Sequence, residues 1–278
     1  MGNVSVVVPA LRAEWRRVVS TRLWWALLIP VAVLAVLVNL FGGLLGDGLG
    51  DVGGDLPVLP ASIAFTLTLT TVFAAVYGTV AAAGEFRHRT VTTAYLTAGG
   101  RGRVLVGKLV AGSAVGALYA IVAVVVGVVA GVLGQGAGHV SGTGALVGVA
   151  AVGVAVAALW GAVGAAVGVL LANQVGALVV LLVYLQVGEL VLAAVLNNSG
   201  SDALARLTPY LPGNAGDVAI YDFPARALAG PELADQVVEQ LAGVTAPPPW
   251  WGALSVLAGW AALAAVLAWT AGDRRDVT

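Results

Sequence analysis

Long apolar runs separated by short polar breaks dominate this chain. From Leu109 to Gly188 there are 80 residues without an Asp, Glu, Lys or Arg. As one helix that run would extend about 120 Å at 1.5 Å per residue, whereas a hydrocarbon core is only about 30 Å thick. The run therefore has to fold back. Two breaks allow it, the glycine-rich "GQGAGHVSGTG" from Gly134 to Gly144 and the short "ANQ" from Ala172 to Gln174. The pattern predicts spans near 108–133, 145–171 and 175–196, with two before them near 24–45 and 61–83 and one after them near 250–271. Backbone in lipid must satisfy its own hydrogen bonds, and no strand-like alternation suggests a barrel. The expected fold is an all-α polytopic membrane protein of six transmembrane helices, with residues 1–278 forming one transmembrane domain.

Three of the segments outside these spans carry a pattern of their own. Residues 9–22, "PALRAEWRRVVSTR", open on a proline suited to a first helical turn, and set Leu11, Trp15, Val18 and Val19 against Arg12, Arg16 and Arg17. That is the pattern of an amphipathic helix lying in a membrane interface. Residues 84–107 join the second and third spans. Residues 197–249 contain "LTPYLPGNAGD", a short helical pattern around Pro231 to Leu241, and "APPPWW", and are expected to form an ordered outer cap.

Composition agrees with the pattern: 60% of residues are apolar, 10% are charged, and the mean hydropathy is +0.98, against about 25% charged residues in a soluble domain. Without cysteine, the chain has no disulfides, thiol nucleophiles or thiolate metal sites. The placement of charge says more than its sum. With the amino terminus inside, eleven basic residues fall on the inner side (Arg12, Arg16, Arg17, Arg22, Arg87, Arg89, Arg101, Arg103, Lys108, Arg274, Arg275), and only Arg206 and Arg226 fall outside. Both termini are therefore expected to be cytoplasmic. The arginine-rich start is not expected to be a cleavable signal peptide, because its apolar stretch is too long and no A-x-A-like site follows.

Few residues offer chemistry. "GRVLVGKL", Gly102 to Leu109, approaches the phosphate-binding G-x-x-x-x-G-K-[ST], yet Leu109 replaces the hydroxyl and no strand precedes the glycines. "GLGDVG", Gly48 to Gly53, matches a dinucleotide pattern and also lacks its strand. Asp47, Asp51 and Asp55 are spaced by four, whereas calcium loops place ligands at alternate positions. Glu189 is the one carboxylate inside a span, so intramembrane aspartyl proteolysis, which needs two, is not expected. His88 and His139 fall on opposite sides and cannot share a metal. No catalytic residue, metal site or nucleic-acid contact is expected. An intramembrane carboxylate is a functional candidate by default, and its alternative is a hydrogen bond to a neighbouring helix. Asn39, Thr66 and Thr70 pose the same choice between lining a path and joining helices. Small residues four apart, as at Gly112/Gly116 and Gly164/Gly168, point to a tightly packed bundle.

The most informative stretch is "GEFRHRTVTTAYLTAGGRGRVLVGKLVAG" after the second span. Together with "LRAEWRRVVSTRLWW" at the start and "YLPG" before the last span, it resembles the ABC-2 type permeases, the membrane subunits of bacterial ABC exporters whose ATPase is a separate polypeptide. The resemblance implies that residues 9–22 form an elbow helix, with Trp15, Arg16 and Arg17 on it, and that residues 84–107 carry a coupling helix seated in the ATPase. Glu85, Arg87 and Thr90 match the start of the family's coupling motif, and Arg101, Arg103 and Lys108 its basic return; Arg89 and Tyr95 lie between. Ala98 to Gly100 stand where many members have a proline.

The resemblance further implies an ATP-driven exporter of a lipophilic or amphiphilic substrate in the bacterial cytoplasmic membrane. No cofactor is expected on this chain, with ATP and magnesium on a soluble ATPase present in two copies. The other expected partners are a second permease subunit, in a homodimer or a pair of different permeases, and membrane lipid. The alternative is an ion-coupled secondary transporter or channel dependent on Glu189.

Overall fold

A computed structural model describes residues 14–53, 57–87, 100–135 and 142–274. Among them there is no strand, and six helices are long and apolar enough to cross a membrane. Residues 14–20 form helix α1. It is followed by α2 (Leu23–Gly53), α3 (Val58–Arg87), α4 (Arg101–Gln135) and α5 (Thr143–Leu171). The fifth span is composite: α6 (Gln174–Val183), a wide π-helical turn (Tyr184–Gly188) and α7 (Glu189–Asn197). After a single turn, α8 (Asp202–Ala205), and a 3₁₀ turn (Thr208–Tyr210) come α9 (Pro212–Ala242) and the last span, α10 (Trp250–Arg274). The inner face below is the one that carries α1; the outer face carries α8.

The helices outrun their apolar runs. α2 continues through the glycines and acids to Gly53, eight residues beyond the expected end near 45. α3 reaches Arg87 and α4 begins at Arg101, so the segment expected at 84–107 is helical at both ends. Most of 197–249 is helix, and the short pattern at Pro231 to Leu241 is the second half of α9. Between α5 and α6 the chain reverses through Ala172, left-handed at φ 51, and Asn173, whose side chain caps α6 by accepting from the Gly176 N–H at 3.0 Å.

The core centres on α3, α4 and α5, where small residues let backbones touch. A Cβ on Gly164 would lie 2.1 Å from the Ala75 carbonyl oxygen, and one on Gly161 would lie 2.2 Å from that of Gly112. Neither position has room for a methyl group. Thr79 Oγ1 donates across the same seam to the Gly164 carbonyl at 3.0 Å. Close backbone approach with a side-chain hydrogen bond is how helices associate where lipid removes the hydrophobic drive. Apolar residues such as Val125, Val179, Leu190 and Trp269 stay exposed on the outside of the bundle, as lipid-facing positions would.

α9 is not a span, yet it enters the bundle. Its first half buries Ala215, Val218, Ala219 and Ile220 in the cluster that holds Val156 and Trp160 of α5 and Leu257 of α10. Just before it, the Tyr210 carbonyl accepts from Trp260 Nε1 at 2.9 Å. Trp260 lies ten residues into α10, about 15 Å along the helix axis. α9 thus starts well inside the bundle and rises to Phe223, which stacks on Trp250 with ring centroids 5.5 Å apart. At Gly230, with φ 73 and ψ 170, it kinks into its more exposed second half.

Candidate functional site

Two places bring buried charge together. The first is on the inner face, where Glu85 near the end of α3 and Lys108 in the second turn of α4 are both buried. Glu85 Oε1 pairs with Lys108 Nζ and with Arg17 of α1. Glu14 of α1 completes the cluster, 3.4 Å from Arg17 and 3.9 Å from Lys108. Two acids and two bases thus join α1 to the inner ends of α3 and α4. Charges removed from water require such pairing, because an isolated buried ion costs several kcal/mol.

α1 covers residues 14–20 of the expected 9–22, and its side chains divide differently from the expected faces. Val18 is buried, whereas Trp15 and Val19 are 54% and 59% exposed, a pair at i and i+4 facing away from the bundle. Arg16 is exposed beside them. Arg17 was expected on the polar face with Arg16 and instead turns inward, because Glu85 needs a cation and solvent does not reach it. Beside the cluster, a cavity of about 430 Å³ opens between α1 and the inner ends of α2, α3 and α4.

The remaining inner residues are placed around this cluster. Arg101 donates to the Gly272 carbonyl of α10 at 2.7 Å, holding the first turn of α4 to the end of the last span. Arg103 is partly buried, five residues before Lys108. Arg87 is the last residue of α3. Arg89, Thr90 and Tyr95 lie outside the described residues, as do His88 and His139.

The second place faces outward. Glu189, the first residue of α7, is buried, and its carboxylate accepts from the backbone N–H groups of Gly213 at 2.9 Å and Asn214 at 2.6 Å. These are free donors in the first turn of α9, at the positive end of its dipole. The preceding π turn holds one extra residue and brings Glu189 to the side that meets α9. Gly213 is required for this approach, since a Cβ there would lie 2.6 Å from Glu189 Oε2. One turn on, Asp217 accepts from Thr68 Oγ1 of α3 at 3.0 Å. Burial pushes the Asp217 carboxyl up to about 7, opposed by the Thr68 hydrogen bond and aided by the Glu189 charge. Burial, then the Asp217 charge, push the Tyr221 phenol up to about 12.

Asn39, Thr66 and Thr70 belong to a third, uncharged group inside the bundle. Asn39 Nδ2 donates to Thr66 Oγ1 and to the Ala35 carbonyl, both at 2.8 Å, and its Oδ1 accepts from Ser62 at 2.8 Å. Thr70 donates back to the Thr66 carbonyl at 2.8 Å. Every described polar atom here has a partner in α2 or α3, the arrangement of helix packing.

Sequence reasoning missed Glu14 and Asp217. Glu14 reads as one more solvated residue of an arginine-rich amphipathic helix, and its only signal is being the lone acid in "LRAEWRR". Asp217 sits among the other acids of the outer segment and carries no mark of burial. Among the described residues no three His, Cys, Asp or Glu gather as a metal site would require. The chain matches the family described as "ABC-2 family transporter protein" over residues 9–272. No curated protein matches it.

Proposed function

The chain belongs to the ABC-2 transporter family as its membrane component, and from that premise we propose that it is the translocating subunit of an ATP-driven exporter. In this proposal the amino terminus is cytoplasmic, a soluble ATPase in two copies supplies the energy, and two permease subunits form the path. The observation that supports it most directly is the Glu14, Arg17, Glu85 and Lys108 cluster. A force applied to residues 88–99 reaches α3 and α4 directly, and the cluster passes it on to α1. Arg87, Arg89 and Tyr95 would meet the ATPase, while Glu85 and Lys108 would transmit the displacement. The charge-poor bundle suits a lipophilic or amphiphilic cargo. ATP and magnesium would stay on the partner.

The test is co-purification. The tagged chain, expressed with the genes next to its own and extracted in mild detergent, is expected to bring a soluble ATPase that hydrolyses ATP. Combined Arg87→Ala, Arg89→Ala and Tyr95→Ala should release that ATPase or uncouple it while the bundle stays folded. Unchanged association and coupling in that variant would overturn the proposed role of the segment. Ion coupling through Glu189 is less well supported, since its carboxylate is engaged by α9. Under that alternative Glu189→Gln would abolish transport driven by a proton gradient and leave any ATPase activity untouched.

A further inference from the structure

Asp217 is unlike the other enclosed carboxylates. Glu14, Glu85 and Asp222 each pair with a Lys or an Arg, and Glu189 is closed around its two backbone donors. Asp217 has no cation partner among the described residues, and the charge that acts on it is that of Glu189, a second acid. Its Oδ1 takes the Thr68 hydrogen at 3.0 Å. Oδ2 receives no hydrogen bond among the described residues and, unlike the Glu85 oxygens, is not sealed off, since Asp217 stays partly exposed. Thr68 lies ten residues into the second span, about 15 Å along the helix. A carboxylate left open at that depth cannot face hydrocarbon and is a functional candidate in want of a partner.

The surroundings narrow the occupant. On α9, Asp217 and Tyr221 are one turn apart and share a face; Tyr221 is 8% exposed, and its hydroxyl lies beside Thr68 with no acceptor within hydrogen-bond distance among the described residues. On α3, Phe65 and Val72 flank Thr68 at three and four residues, Phe65 being 49% exposed and Val72 partly buried. A metal ion such as calcium would want six or more oxygens, whereas one carboxylate and two hydroxyls between apolar side chains suit a single organic cation with an apolar body. We propose that the opening at Asp217 binds the ammonium of a cationic amphiphile, which donates to Asp217 Oδ2 beside the Tyr221 ring while its apolar part lies over Phe65 and Val72. As recognition of cargo this rests on the exporter reading; as binding it does not.

The test is binding of tritiated propranolol, a secondary ammonium on an aromatic body, to the full-length chain in phosphatidylcholine nanodiscs. No ATPase is present, so failure here leaves the exporter reading standing, and failure of ATPase co-purification leaves this site standing. Dodecylammonium is expected to displace the probe at concentrations about tenfold lower than dodecanoate or dodecyl maltoside, as a hydrogen bond to a charged group implies. Equal displacement by the three heads, or displacement by millimolar sodium chloride, would overturn the proposal. Asp217→Asn keeps the shape and should weaken propranolol about tenfold; unchanged affinity would overturn the assignment. The empty site titrates at about 7, so a bound ammonium displaces a proton at lower pH. Affinity should therefore fall about tenfold from pH 8 to pH 6, and Asp217→Asn should abolish that dependence. A pH dependence that persists in Asp217→Asn would put the cation at Glu189 and overturn the placement.

Discussion

The inner and outer faces both bury carboxylates, and they neutralise them differently. At the inner face Glu85 is balanced by two long, flexible cations from separate helices, Arg17 and Lys108. At the outer face Glu189 is held by two backbone N–H groups of one rigid helix end. Side-chain pairs can keep contact while the helices that bear them shift, because rotamers take up the displacement. Backbone donors have no such freedom. The inner cluster can therefore keep its contacts if the helices it joins shift, whereas the outer contact fixes the start of α9.

Removing Glu85 should give the largest effect. Glu85→Ala leaves Lys108 buried with only Glu14 at 3.9 Å, and breaking a buried pair in this way costs about 3–5 kcal/mol. The unfolding free energy in mixed micelles measures it, and a loss below about 1 kcal/mol would mean that water reaches the cluster. Glu189→Ala comes next. It strips two buried N–H groups of their acceptor, a loss of about 2–4 kcal/mol, and should free α9 to exchange amide hydrogens over its first turns. Unchanged exchange there would show that side-chain packing alone holds the helix.

Asp217 sharpens the comparison through pH. Its carboxyl titrates near 7 in the folded protein against about 3.9 unfolded, so the folded state binds more protons across that window. Stability is then fullest below the unfolded value and declines as pH rises toward 7. Asp217→Asn should raise the thermal midpoint at pH 8 and bring little or no gain at pH 4, and an equal shift at both would contradict the placement of Asp217. The smallest effect belongs to Arg226, which forks onto Asp222 at 2.9 and 3.0 Å from a side chain that is 43% exposed. Arg226→Ala is expected to cost under about 1 kcal/mol by the same unfolding measurement.

What the sequence made legible follows from what each element owes to periodicity and hydropathy. Spans are recognised because lipid demands about 20 apolar residues without charge, and the run from Leu109 to Gly188 meets that demand throughout. The extension of α2 to Gly53 is not visible this way, because glycine and aspartate read as loop. α9 escaped for a different reason. Its buried half is made of Ala, Gly and Val interleaved with Asn214, Asp217 and Asp222, so it resembles neither a span nor an amphipathic surface helix. Glu189 stood out by its type alone, but the backbone groups that hold it are 24 and 25 residues away, which no side-chain pattern announces. Lys108 stood out in the near-match to a phosphate motif and Glu85 as an acid closing a span, but nothing paired them, and the inward turn of Arg17 depended on a partner 68 residues ahead.

The same modest apolarity of α9 bears on how the chain is made. α10 follows α9 in the chain, and α9 packs on Leu257 of α10 and enters beside Trp260. A more hydrophobic α9 would be retained in the bilayer as a further span. A segment polar enough to pass the insertion machinery, yet small enough in side chain to slot between finished helices, reaches its seat only after α10 has been inserted. Docking of α9 therefore has to wait for α10, and its first turn then meets Glu189.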